Sequence, residues 1–346
     1  MTATARAGEM RERARGCLLG LAAGDALGRP AENLHPDEIE RRWGLLTELE
    51  PGPDGVASGT DDTEYSVFAA LLLVEHGDAL TPEHVASAYH EQILSRPGPM
   101  RGAGFSELGA VQALRRGLVP PASGRWHHHG WSDGLAMRAA PYGIFAAGDP
   151  DEAARLIEAD GAVSQSGEGL LGGRAVAAAV AVAMTGAAPV EVLAGALAAV
   201  PADSWTARAL RAAAEIVEDG GRAGAPPDRR TLTAELHAAL VTRHYPWTDL
   251  APEAVGLAFA GYLAADGAVE DSVVTAANLG RDADTTAAIA GALAGAGRGA
   301  AGVPERWARA IGPVRGACLP AVAGRHVLEI ADLLAEAGKA RGSRSR

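Results

Sequence analysis

Aromatic side chains are scarce in this chain: Phe, Trp and Tyr supply 4% of its 346 residues. Its core must therefore be filled by Ala, Leu and Val, and small side chains let helices pack closely while Ala carries the best helix propensity. Lysine is almost missing as well, Lys339 being the single one among 31 basic residues. No stretch gathers arginines into a basic stripe, and the formal net charge is −12, which argues against binding nucleic acid by phosphate neutralisation. An anionic small substrate would need metal ions to supply local positive charge. The two cysteines, Cys17 and Cys318, are too few and too distant for a disulfide framework. Residues 1–15 are charged and lack the apolar core of a signal peptide. No apolar run is long and unbroken enough to read as a membrane span. Residues 170–188 are interrupted by Gly172, Gly173 and Arg174 and dominated by weakly hydrophobic Ala, so they read as a buried helix. A cytoplasmic protein without nucleic-acid or membrane partners is expected; composition says nothing of its oligomeric state.

What remains is a globular composition, 48% hydrophobic and 21% charged. The 44 Gly and 20 Pro cluster between Ala-rich runs, where they punctuate helices. Apolar periodicity predicts helices over 10–27, 63–76, 82–94, 104–116, 134–147, 151–162 and 168–184. Others follow over 189–200, 204–219, 231–242, 252–265, 270–279, 284–296 and 319–337. Strict alternation is rare, so the chain reads as all-α, with strands minor or absent. No fixed-period repeat suggests a solenoid. The Pro/Gly-rich loops 97–102, 119–131 and 220–229 are not convincing linkers, and one domain over 1–346 is expected, with its core at about 13–337.

Two acidic clusters stand out: Ser58-Gly59-Thr60-Asp61-Asp62-Thr63 and Gly280-Arg281-Asp282-Ala283-Asp284-Thr285-Thr286. Each opens an Ala-rich helical run. Either alone reads equally as a helix N-cap. Brought together, their carboxylates raise one another's pKa unless protonated or neutralised by metal. Hard divalent cations such as Mg²⁺ take oxygen ligands of this kind and need neither His nor Cys. Two such ions would balance the four carboxylates. Upstream, Gly24-Asp25-Ala26-Leu27-Gly28 ends a helix before Pro30, leaving Glu32 on a loop, either solvated or free to swing towards a ligand.

Gly24-Asp25-Ala26-Leu27-Gly28 with Glu32, Thr60-Asp61-Asp62-Thr63 and Asp282-Ala283-Asp284-Thr285 together resemble the ADP-ribosylglycohydrolase family, from about Arg13 to Gly299. That family includes the ADP-ribosylarginine hydrolases and the dinitrogenase reductase-activating glycohydrolase. The resemblance implies a compact all-α orthogonal multi-helix bundle with two Mg²⁺ or Mn²⁺ ions at its centre. It implies Thr60, Asp61, Asp62, Asp282, Asp284 and Thr285 as metal ligands and Glu32 as a mobile acid near the scissile bond. Ser132-Asp133-Gly134-Leu135-Ala136-Met137-Arg138 resembles the family's glycine loop, which contacts phosphate and ribose through backbone N–H groups at a helix start. Ser132, Asp133, Gly134, Met137 and Arg138 are thereby expected to bind substrate. Asp133 stands where the family carries Asn; a carboxylate beside a diphosphate is repulsive, although Asp133 also suits an N-cap. Ser164-Gln165-Ser166-Gly167-Glu168-Gly169 resembles a subgroup with His in the Gln165 position. Gln165 and Glu168 are candidate cavity residues, Glu168 being equally a first-turn helix acid.

His127-His128-His129 cannot all face one ion, and with Trp126 and Trp131 they read as a loop near the cleft mouth. Tyr245-Pro246-Trp247 and Trp126 are packing residues or a stacking surface for a ring. The resemblance implies a hydrolase that cleaves an N-glycosidic bond at the anomeric carbon of an ADP-ribosyl group, releasing ADP-ribose. Asp62 or Glu32 would act as general base. The substrate would be an ADP-ribosylated protein or a small molecule. The departures at Asp133 and Gln165 open the alternative of an N-glycosidase on a nucleoside or nucleotide-type molecule. A two-metal phosphatase and a catalytically silent binding protein are the remaining alternatives.

Overall fold

The computed structural model of the chain describes residues 3–96, 100–222 and 228–344. The loops expected over 97–102 and 220–229 therefore fall partly outside the described residues. Among the described residues there are seventeen α-helices and no strand, only two isolated β-bridges, Ala57 with Ile311 and Ser132 with Leu250. The first half carries α1 (Ala3–Gly28), α2 (Pro36–Trp43), α3 (Asp61–His76), α4 (Pro82–Tyr89), α5 (Phe105–Arg115), α6 (Ala122–Arg125), α7 (Ala140–Phe145), α8 (Pro150–Ser164) and α9 (Glu168–Ala183). The second carries α10 (Pro189–Ala198), α11 (Trp205–Arg222), α12 (Arg229–Leu240), α13 (Ala251–Ala264), α14 (Val269–Asn278), α15 (Ala283–Arg298), α16 (Glu305–Ala310) and α17 (Val327–Arg344).

The all-α reading holds, and most predicted helices lie within a few residues of those observed. Two are broken. Residues 134–147 form a single 3₁₀ turn, Asp133–Leu135, and then α7, which restarts at Ala140 with Pro141 in its first turn; proline lacks the N–H a continuous helix would need. Residues 319–337 begin with the 3₁₀ turn Pro320–Val322, and α17 starts only after Gly324, whose φ is +81°. The helix expected over 82–94 ends as α at Tyr89 and widens into one π turn, His90–Leu94. Three short helices were not expected: α2, α6 and α16. Helix α2 buries only Ile39, so its apolar stripe is too thin to register as periodicity. Its signals are capping ones: His35 at the N-cap, Pro36, Asp37 and Glu38 in the first turn, Arg41 and Arg42 in the last.

At the centre α1 runs antiparallel against α15, and this pair is enclosed by α14, α17, α3, α7, α13 and α9. The contact is backbone to backbone. A Cβ on Gly20 would lie 2.2 Å from the Gly291 carbonyl oxygen, one on Gly24 2.1 Å from that of Ala287, and one on Gly28 2.3 Å from that of Ala283. Four-residue spacing keeps these glycines on one helix face. The ladder ends where both acidic motifs begin, so packing of the least bulky residues brings the charged ones together. Among the described residues no helix is long and apolar enough to cross a membrane.

Candidate active site

Helix starts do most of the positioning. Asp61 and Asp62 occupy the first turn of α3, Thr60 its N-cap; Asp282 is the N-cap of α15, with Asp284 and Thr285 in its first turns. The Thr60 hydroxyl lies 3.3 Å from Asp62 Oδ2 and 3.5 Å from Asp284 Oδ2, which joins the two motifs across the molecule. Neither Thr60 nor Asp282 caps its own helix with its side chain. Helix α3 is capped from α1 instead. Buried Asp25 accepts from the backbone N–H of Thr60 (2.8 Å) and of Thr63 (3.0 Å), from the Thr60 hydroxyl (2.9 Å) and from the Thr63 hydroxyl.

These side chains line a cleft of about 440 Å³ together with Glu32, Ser132, Asp133, Gly134, Met137, Trp247 and Asp249. Seven carboxylate residues face it (Glu32, Asp61, Asp62, Asp133, Asp249, Asp282 and Asp284), and no Arg, Lys or His is among its lining residues. Burial, reinforced by Asp25 and Glu107, pushes Asp61 up to about 7. Burial also holds Asp62, Asp133, Asp282 and Asp284 well above the usual carboxylate range, each helped by neighbouring acids. Carboxylates so placed keep protons or take a cation. Asp25, Asp62 and Asp284 each bring one oxygen to within 4.8 Å of the others, a cluster able to hold a metal ion. Buried oxygens Asp62 Oδ1 and Asp284 Oδ1 have no hydrogen-bond partner. Orphaned carboxylate oxygens beside a threonine hydroxyl, in a cluster built of Asp alone, fit a hard divalent cation.

Glu32 is exposed, but the backbone under it is pinned. Asn33 N–H donates to Arg281 O at 2.7 Å and Arg281 N–H to Leu34 O at 3.1 Å. Both Asn33 (φ 62°) and Arg281 (φ 63°) sit in the left-handed region, where non-glycine residues store strain. The Asn33 amide donates to Glu32 Oε1 at 3.0 Å and accepts from the Thr248 hydroxyl at 2.7 Å. Only the side chain of Glu32 is left to move.

The sequence model of the ADP-ribosylglycohydrolase family matches residues 6–343. The chain belongs to the ADP-ribosylglycohydrolase family. It is 33% identical over 306 residues to an uncharacterized protein of Archaeoglobus fulgidus, covering 86% of this chain and 91% of that one. It is 27% identical over 311 residues to the ADP-ribosylarginine hydrolase Tri1 of Pseudomonas putida, covering 86% of this chain and 73% of the relative. A solved structure described as an ADP-ribosylglycohydrolase-related protein complex superposes with a TM-score of 0.64 at 24% identity, covering 96% of this chain and 98% of the other. ADP-ribosylglycohydrolases are hydrolases, and the all-α architecture agrees with the family's.

Three residues expected at the substrate lie outside the cleft lining. Arg138 is fully buried, its guanidinium held by Asp160 (2.9 Å), Glu107 (2.7 Å) and Ser164 (2.9 Å), so it braces α5 and α8 behind the cleft. Glu168 turns away and caps α11, accepting from Trp205 N–H (2.8 Å) and Thr206 N–H (2.9 Å). Gln165 is buried one layer back, its amide 3.3 Å from Ser132 Oγ. The sequence reading missed Asp25 and Asp249 as site residues. Asp25 had left a signal, a lone carboxylate in the otherwise apolar stretch from Cys17 to Leu27. Asp249 had left none, since a loop aspartate is unremarkable until its neighbours are known. At the mouth His129 stacks on Phe105 with ring centroids 4.8 Å apart, and Trp247 packs edge-on at 5.4 Å from His129. A larger cavity of about 700 Å³ lies between α2 and α12, but its charges are mixed and Arg229 and Arg230 already pair with Glu40.

Proposed function

We propose that this chain hydrolyses the N-glycosidic bond at the anomeric carbon of a ribosyl group, with an ADP-ribosyl group as the family's expected substrate and ADP-ribose as product. The observation that carries it is the meeting of Thr60, Asp61 and Asp62 with Asp282, Asp284 and Thr285 in one acidic cleft whose innermost oxygens lack partners. These six residues would hold two Mg²⁺ or Mn²⁺ ions, which when bound supply charge neutralisation and Lewis acidity towards ribose hydroxyls. Glu32 and Asp62 are the bases within the cleft. One of them takes a proton from water as its oxygen joins the anomeric carbon; the carbon–nitrogen bond breaks with its electron pair leaving on nitrogen. Remaining carboxylates stabilise positive charge developing on the sugar. Trp247 and Phe105 supply an exposed aromatic edge to the cleft.

A likeness to the Pseudomonas putida hydrolase supports the ADP-ribosyl reading. Asp133 supports a second one, a nucleoside-type N-glycosidase. The test is incubation with ADP-ribosylarginine and with inosine in Mg²⁺ or Mn²⁺, followed by product analysis. Free ADP-ribose or free ribose is expected. Orthophosphate release with the glycosidic bond intact would instead identify a two-metal phosphatase, and ligand binding without turnover a silent member.

A further inference from the structure

The glycine loop and the loop before α13 build one wall of the cleft and are paired through their backbones. Asp133 N–H donates to Asp249 O at 2.9 Å, and Ala251 N–H donates to Trp131 O at 3.0 Å. This pairing consumes donors on which a phosphate would depend. Asp133 N–H is spent on Asp249, and Gly134 N–H points to Ser132 Oγ at 3.5 Å. The 3₁₀ turn that follows is three residues long, too short to add a helix dipole. What the wall presents instead is acceptors. Asp133 is 4% exposed, and its Oδ2 and Asp249 Oδ1 are buried without hydrogen-bond partners, on side chains that line the cleft. An asparagine at position 133 would offer an amide N–H, whereas an aspartate ionised by divalent cations bound in the cleft accepts only. Arg138, the one cation in the glycine-loop motif, is committed to Glu107 and Asp160.

We propose that Asp133 and Asp249 form a sugar-hydroxyl subsite that selects ribosides lacking a phosphate. Hydroxyls of the substrate's sugar donate to the two unpaired carboxylate oxygens, whereas a phosphate, anionic and without a proton to give, meets acceptors and like charge. The inference rests on the second, nucleoside-type reading above, not on the ADP-ribosyl one, and narrows that reading's substrate to unphosphorylated N-ribosides.

The probes are D-ribose, ribose 5-phosphate and ADP-ribose, titrated calorimetrically with Mg²⁺ present against the wild type, Asp133→Asn and Asp249→Asn. Wild type is expected to bind ribose at least tenfold more tightly than either phosphorylated ligand. Each variant should cut that ratio at least fivefold, chiefly by strengthening the phosphorylated ligands. An unchanged Mg²⁺-induced rise in melting temperature certifies that both variants fold around an intact cation site. Wild type that binds the phosphorylated ligands as tightly as ribose, or binds none of the three, overturns the subsite, as do variants that shift all three ligands by one factor. Turnover of inosine and ADP-ribosylarginine, measured alongside, separates the two readings. The ribose preference without any hydrolysis would retain the subsite and discard the hydrolase, and cleavage of ADP-ribosylarginine without the preference would do the reverse.

Discussion

Buried carboxylates in this chain serve two opposed purposes, and their partners tell them apart. Glu64 and Glu168 are spent as caps for backbone far away in sequence, Glu64 accepting from the N–H groups of Ala317, Cys318 and Leu319, while Asp25 caps α3 and also brings an oxygen to the cluster with Asp62 and Asp284. Asp62, Asp133 and Asp284 instead keep oxygens without partners. Replacing a cap strands its donors, so Asp25→Ala should cost about 3 kcal/mol or more, since each unpaired buried group costs about 1–3 kcal/mol; urea unfolding reads this directly. Replacing an orphan relieves repulsion. Asp284→Ala is expected to abolish Mg²⁺ and Mn²⁺ binding by calorimetry while the metal-free variant melts no lower than the wild type. Asp61 also sets a pH dependence. Its folded-state value near 7 lies above the ordinary value of about 3.9 in an unfolded chain, so the folded protein holds the extra proton. Stability of chelator-treated protein should therefore fall as pH rises from about 4 to 7, with Asp62, Asp282 and Asp284 acting in the same direction. Urea midpoints at pH 5 and pH 7.5 check it; a higher midpoint at pH 7.5 would contradict the assignment. Sequence alone placed Thr60 to Asp62 and Asp282 to Thr285 at helix starts, which is where the structure has them, around one cleft. It could not show that Arg138 and Glu168 face inward, because motif membership does not fix which side of a helix a side chain occupies.

Among elements, the α1–α15 contact is the one that tolerates least. A methyl group on Gly20 or Gly24 would collide with backbone, which cannot move aside as a flexible side chain can. Gly20→Ala should destabilise by about 1–3 kcal/mol, the usual cost of overpacking a close contact. Gly8→Ala in the same helix meets nothing within 4 Å and should stabilise by about 0.5–1 kcal/mol through helix propensity. Equal effects of the two substitutions in denaturant titrations would show that the contact is looser than its geometry. Helix boundaries were largely readable because Pro and Gly mark them. The exceptions α2, α6 and α16 are eight residues or fewer, so packing on neighbours stabilises them where periodicity gives no sign.

On the scale of the whole molecule, acidic residues crowd around one cleft, and among the described residues no Arg, Lys or His lines it. Bound divalent metal should therefore raise the melting temperature strongly. At a hundredfold excess over its dissociation constant an ion that binds only the folded state adds about 2.7 kcal/mol, and the shift should vanish with chelator or with Asp284→Ala. Absence of any shift at millimolar Mg²⁺ and Mn²⁺ would remove the metal from the proposed function.

The glycine ladder also bears on when this site comes into being. It joins helices near opposite ends of the chain, and Thr60 and Asp284, which meet at its end, are 224 residues apart in sequence. Contacts so remote demand closure of nearly the entire chain before they return any free energy, which slows folding. During synthesis the first acidic motif emerges long before the second exists. Capture of the proposed cations would thus be a late event, a mark of completed folding rather than its nucleus. In refolding experiments Mn²⁺ binding should appear with the slowest phase, after most helical signal has returned.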